Sequence, residues 1–247
     1  MPHRPIKTLE RVLSKAGLGS RTEARRWIAA GRVRVNDAVI RDPDQWIDLE
    51  QDRVAFDDEP LPALERVYLL FHKPAGYLAT RHDKKGRPTI YDLLPDRDRY
   101  LLYVGRLDLD TSGLLILTND SAFAERMTNP KYEVPKSYLV ETTASLSEPQ
   151  LDQLRRGVVL RDGPTRPAIV NPTADASTHT FEMTITEGRN RQVRRMVDAV
   201  GSEVLRLVRV AIGPITIGDL PSGTFRELTP AEVASLSSIA ERGSQPS

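Results

Sequence analysis

The chain has 247 residues, a formal charge of +1, 39% apolar and 28% charged residues, and no cysteine. This composition suits a soluble globular protein built as one large domain, or as a small domain and a medium one. It excludes disulfides and thiolate metal sites, and no apolar run reaches membrane-spanning length. His3, His72, His82 and His179 are scattered without metal-ligand spacing, so a metal site is not expected. A cytoplasmic location is the expectation, and a membrane partner is not.

The charge is unevenly spread. Residues 1–41 hold ten Lys/Arg and three Asp/Glu, a net of +7. Residues 42–66 carry a net of −7, and residues 187–210 a net of +3. Two separated basic patches in a nearly neutral chain suit a polyanion held in two places. Taken singly, each patch reads more simply as solvated surface charge.

In chain order, residues 8–17 place Leu9, Val12, Leu13 and Ala16 at helical spacing, with Gly17 as the stop. Ser20-Arg-Thr-Glu23 has the form of a capping box. It opens a second helix with Arg21, Arg25 and Arg26 outward, Ala24, Trp27 and Ile28 inward, and Gly31 at the end. Val33 and Val35 then alternate with Arg32 and Arg34, Asn36-Asp37 turns, and Val39-Ile40 begins a return strand. Residues 52–56 supply another strand. Arginines beside a tight helix-to-strand corner make a good phosphate cradle. The stretch 9–40 resembles an S4-type RNA-binding domain, in "SRTEA" at the helix start and "AGRVRVN" at the corner. That resemblance implies an RNA ligand and no particular activity. Residues 57–66, rich in acids and prolines, read as a linker. The small domain is therefore placed at 1–56 and a larger one at 67–235.

The larger domain alternates strand-like and loop-like segments. Strands are expected at 67–71, 101–104, 114–117, 138–142, 180–186 and within 204–217, with a charged loop at 82–88. Helices are expected after Asn119-Asp120-Ser121, at 148–156, at 191–200 and briefly from Thr229. Residues 236–247 are placed in a C-terminal tail. Many strands with interspersed helices indicate an α+β fold around a mixed, largely antiparallel sheet.

Chemistry concentrates in "GRLDLDTSG", residues 105–113, between two apolar runs. Loops held by rigid strands often carry catalytic groups. Asp108 and Asp110 share a side if the segment is extended. On spacing alone, turn chemistry outranks catalysis, with Asp110-Thr-Ser-Gly113 as the turn and Asp120 as a helix cap. A paired-carboxylate hydrolase fits poorly, because its two acids must flank the scissile bond from different segments. In "EGRNRQVRR", residues 187–195, Arg191 and Arg195 share a helical face. The segment reads either as a solvated surface or as phosphate binding with one arginine turned inward. Tyr138 reads as a core residue or as a platform for a stacked base.

These motifs coincide with a known pattern. "GRLDLDTSGLLILTND", "KSY" and "EGRNRQVRRM" followed by "RLVRVAIGPI" closely resemble rRNA pseudouridine synthases of the RsuA/RluB-like family. The likeness runs from the S4-like start to about residue 230. Ser121 and Pro135 are small departures from it. The resemblance implies a catalytic Asp108, Tyr138 against the target base, and Arg194 paired with Asp108. It implies rRNA as partner, large-subunit RNA ahead of small-subunit RNA, with no cofactor, no metal and a monomeric enzyme. RNA contacts are expected from Arg21, Arg25, Arg26, Arg32 and Arg34, and from Arg106, Lys136, Arg189, Arg191 and Arg195. The rival reading is a non-catalytic RNA-binding or ribosome-assembly protein, which has no need of Asp108.

Overall fold

Alternating and helical apolar patterns each need a face to bury, and this chain buries them in two places. The computed structural model describes residues 6–49, 51–61, 66–81, 83–94, 101–173 and 179–242. Two compact units divide at Arg66/Val67, except that Leu101 groups with the first. Among the described residues, no helix is long and apolar enough to cross a membrane.

In the N-terminal unit, β1 (Ile6–Thr8) leads into α1 (Leu9–Lys15), and α2 (Arg21–Ala29) follows. The capping box forms: the Glu23 N–H donates to Ser20 Oγ at 3.3 Å, and the Ser20 N–H donates to Glu23 Oε2 at 2.8 Å. Next come β2 (Val33–Val35), β3 (Ala38–Val39), β4 (Trp46–Asp48), β5 (Val54–Phe56) and β6 (Glu59–Pro60). β3-β2-β5-β6 make one sheet and β1 pairs with β4. Leu9, Leu13, Ile28, Val33 and Ile47 are fully enclosed between helices and strands. The expected linker begins inside this hairpin. Asp57 and Asp58 take φ of 51° and 65° and turn β5 into β6. Residues 62–65 of that linker lie outside the described residues.

The acidic stretch after residue 41 turns out to be the counter-charge of the basic one. Arg21 and Arg25 meet the buried carboxylate of Glu10, and Arg25 also reaches Asp44 at 2.6 Å. Arg32 pairs with Asp57, and Arg34 with Asp58 at 2.7 Å. Among the described residues the Arg26 side chain makes no such pair.

The second unit opens with β7 (Tyr68–Lys73), β8 (Leu102–Val104), β9 (Thr111–Thr118), α3 (Ser121–Thr128) and β10 (Lys136–Thr142). It continues with α4 (Glu148–Arg156), β11 (Val159–Leu160), β12 (Gly163–Pro164), β13 (Ile169–Pro172) and β14 (Thr180–Ile185). It closes with α5 (Gln192–Ala199), β15 (Val204–Ile212), β16 (Ile215–Thr216), β17 (Phe225–Glu227) and α6 (Pro230–Arg242). One sheet runs β13-β14-β10-β15-β9-β7-β17, with β8 against β9 and β16 against β15. Its pairings are antiparallel except for β9 with β15, which is parallel. The fold is thus α+β on a mixed, largely antiparallel sheet. Leu114 and Ile116 of β9 pack with Phe123, Met127 and Leu236. Asp120 caps α3, accepting from the Ala122 and Phe123 N–H groups at 3.0 and 3.1 Å.

Two boundaries differ from the sequence reading, and several short strands are additional. β9 starts at Thr111, so Thr111, Ser112 and Gly113 belong to the strand and the turn lies before them. α6 runs to Arg242, so most of the expected tail is helix, held by the buried Leu236. Residues 243–247 lie outside the described residues. β1, β4, β11, β12 and β13 were too short, or too weakly apolar, to read as strands. Within the charged loop, Asp83 accepts from the backbone of Lys85 and Arg87, and from the Arg87 guanidinium.

Gly113 has φ +112°, and a Cβ there would lie 2.3 Å from the Arg209 carbonyl oxygen. The parallel strand pair therefore admits no side chain at this position. Gly113→Ala should destabilise the protein by about 2 kcal/mol or more in urea unfolding. An unchanged midpoint would show that β9 and β15 do not meet as described.

Candidate active site

The segment 105–110 links β8 to β9 and carries "GRLDLD". It is closed by the Thr111 N–H donating to the Asp108 carbonyl at 3.1 Å. Beneath it lies Lys73, the last residue of β7 and fully buried. Its Nζ donates to the carbonyls of Pro74, Asp108 and Thr111 at 3.0, 3.1 and 2.7 Å. Burial pushes the ammonium down to about 8, a fall that the nearby Asp110 and Asp108 partly oppose. The lysine ties the loop to the end of β7 through the Asp108 and Thr111 carbonyls.

Two arginines face the loop from α5. Arg191 precedes the helix in a left-handed conformation, φ 47°. Its Nη1 lies 3.8 Å from Asp108 Oδ2 and 3.3 Å from Asp110 Oδ1. Arg194 is on the buried side of the helix. Its Nη2 lies 3.1 Å from Asp110 Oδ2, and its Nη1 donates to the Val204 carbonyl at 3.0 Å. The expected Arg194–Asp108 pair is therefore corrected. One helical turn from the N-terminus, Arg194 is directed at Asp110 and the start of β15, whereas Arg191 stands outside the helix and reaches both acids.

A cavity of about 160 Å³ opens beside Asp108. Its walls include Arg106, Asp108, Lys136, Tyr138, Arg189 and Arg191, along with Thr111 and Arg209. Tyr138 stands on β10 directly opposite Arg209 of β15, so both side chains share one face of the sheet. Lys136 donates to the Val134 carbonyl at 2.8 Å. Burial, then the charge of Arg209, brings its ammonium down to about 8. Arg194 and Arg195 do not line the cavity. Arg195 pairs with Asp162 at 2.9 Å, and Arg189 donates to the Gly163 carbonyl at 3.0 Å. Both arginines thus brace the β11–β12 hairpin. Arg21, Arg25, Arg26, Arg32 and Arg34 belong to the other unit.

Sequence reasoning missed Lys73, Thr111 and Arg209. It also missed the buried Glu187 carboxylate, which accepts from Gln192 Nε2 at 2.6 Å. Signals existed for two of these. Lys73 ends an apolar strand, and Arg209 interrupts the apolar alternation of β15 on its buried face.

A family model described as RNA pseudouridylate synthase matches residues 67–199. The chain belongs to this family. An S4 domain model matches residues 8–54. The chain is 36% identical over 241 residues to the ribosomal large subunit pseudouridine synthase B of Bacillus subtilis (strain 168), covering 96% of this chain and 98% of the relative. It is 38% identical over 247 residues to the protein of the same name from Pseudomonas aeruginosa, covering 96% of this chain and 63% of that one. A crystal structure of a pseudouridylate synthase is similar over 93% of this chain and 99% of its own, with a TM-score of 0.66 and 32% identity.

In a double-mutant cycle on unfolding, Arg194→Ala and Asp110→Asn should couple by about 1 kcal/mol, and Arg194→Ala with Asp108→Asn by clearly less. The reverse order would restore the Asp108 pairing. For Lys136, the folded state releases its proton near pH 8 and the ordinary value is 10.5. The unfolded chain therefore binds more protons between those values, and the lysine's contribution to stability rises with pH there. Relative to Lys136→Met, the wild type should gain in urea midpoint from pH 7.5 to pH 10. Parallel pH profiles would contradict this.

Proposed function

We propose that this pseudouridine synthase isomerises a single uridine in folded large-subunit ribosomal RNA. The observation that carries the reading is the pocket itself, which gathers Asp108 and Tyr138 among cationic walls in a chain of this family. The names of the relatives favour large-subunit RNA. The reaction detaches uracil from C1′ of the ribose and reattaches it through C5. It moves no net electrons and needs no group donor, which fits action without a cofactor.

The target base must leave its stack to enter so narrow a cavity. Tyr138 offers the flat surface against which it would rest. The Asp108 carboxylate is placed to attack C1′ or C6, or to take a proton in an elimination route. Arg191 beside it, with Arg194 holding Asp110, fixes the loop that presents it. Arg106, Lys136 and Arg189 line the entrance for the flanking backbone. In the S4 unit the arginines carry carboxylate partners, so phosphates would exchange with those partners, while Arg26 is open to direct contact. Binding should therefore weaken steeply with salt. The reading includes a cytoplasmic, monomeric enzyme.

The test uses large-subunit rRNA carrying tritium at uridine C5. Tritium release without free uracil is expected, whereas free uracil would indicate a glycosidase and no release a binding protein. Asp108→Asn should cut release by roughly 10³-fold or more with RNA affinity retained. An active Asp108→Asn enzyme would remove Asp108 from the chemistry.

A further inference from the structure

Arg209 has no part in the roles above. It is 2% exposed, in β15 between Tyr138 of β10 and Gly113 of β9. Its Nε donates to the Leu114 carbonyl at 2.7 Å. Its Nη2 is buried with no acceptor among the described residues. The guanidinium sits under the catalytic loop, where a Cβ built on Gly105 would come 3.8 Å from Nη1. It lines the same cavity as Asp108 and Tyr138, and so does Thr111, whose Oγ1 is a second buried group without a partner.

A guanidinium does not shed its proton, so an empty donor on it is a standing cost. The other buried arginine here, Arg194, also keeps a buried Nε without a partner among the described residues, but its charge is answered by Asp110 and it does not line the cavity. Arg209 is answered by no carboxylate among the described residues, and its neighbours Lys73 and Lys136 donate to backbone carbonyls. Arg209 thus brings to the cavity a positive charge that no carboxylate among the described residues pairs with. Such a charge suits a guest that carries negative charge only while it is inside.

We propose that Arg209 holds the uracil ring during its detachment, donating from its guanidinium to a ring carbonyl oxygen. This rests on the pseudouridine synthase reading. When the N1–C1′ bond breaks, its electron pair leaves with the ring and spreads over N1, O2 and O4. Meanwhile C1′ is satisfied by Asp108, through a C1′–O bond or through loss of the C2′ proton to its carboxylate. The ring turns about its N3–C6 axis, which exchanges N1 with C5 and O2 with O4. C5 then bonds to C1′ as the Asp108 change reverses; the C5 hydrogen leaves as a proton and N1 gains one. A donor fixed in β15 meets O2 before the turn and O4 after it, so one arginine serves both halves. Low dielectric around it strengthens the attraction.

The test compares full-length wild type, Arg209→Met and Arg209→Lys under single turnover. One rRNA carries tritium at uridine C5, and the other carries 5-fluorouridine, followed by loss of that nucleoside from digests. Fluorine withdraws electrons and stabilises the detached ring by itself. Arg209→Met should lose about 30-fold or more on uridine, and at least about threefold less on 5-fluorouridine. Arg209→Lys should fall between, with RNA affinity unchanged for both variants. Equal losses on the two RNAs, or no loss, would overturn the proposal. If Arg209→Met does not fold, the same comparison is read from Arg209→Lys. A wild type that releases no tritium would instead remove the underlying function.

Discussion

β9 and β15 run side by side in the same direction, and the pocket depends on it. Their register sets Thr111 beside Leu207 and Gly113 beside Arg209. The starts of the two strands therefore lie at one end of the sheet. Asp108 and Asp110 come just before β9, and Arg191 and Arg194 sit at the start of α5, the helix that leads into β15. An antiparallel pairing would put acids and arginines at opposite ends. The neighbouring antiparallel strands add to the same end: Lys73 closes β7 opposite Gly113, and Tyr138 of β10 stands opposite Arg209.

The two units treat positive charge in opposite ways. In the N-terminal unit Arg21, Arg25, Arg32 and Arg34 are exposed and individually matched by acids. The pairs with Asp44, Asp57 and Asp58 are exposed on both sides and hold weakly in water, so a polyanion can displace those carboxylates. At the pocket, Arg209 is buried and its Nε meets only the Leu114 carbonyl among the described residues, while Lys73 behind the loop donates to carbonyls with Asp108 and Asp110 nearby. Their field is not screened by solvent. The first arrangement suits holding an RNA surface, and the second suits acting on one group within it.

Much of this was legible in the sequence. Helical spacing and the Ser20–Glu23 box located the first two helices, and the three motifs brought Asp108 and Tyr138 into one site. What escaped was what needs three dimensions. The Arg194 partner depended on which face of α5 meets the loop, and two acids two residues apart offer equal targets to a pattern. The acidic run read as a linker because its partners, Arg32 and Arg34, lie more than twenty residues away. Lys73 falls beyond the expected strand 67–71 and Arg209 counts toward the basic 187–210 segment, because burial on the sheet is not visible in either stretch. The tail at 236–247 read as loose because a single buried Leu236 carries little periodic signal.

The parallel pair also sets when the site exists. Arg209 and its acceptor Leu114 are 95 residues apart, and the strands between them must be in place before β15 can enter the sheet. Contacts of such long separation form late, because a large loop has to close first. A chain still on its ribosome, grown only as far as α5, already holds Asp108 and Tyr138 but lacks the strand that separates β9 from β10. Its pocket lacks Leu207 and Arg209, the two lining residues that β15 supplies. The pocket is thus completed only when β15 enters between β9 and β10.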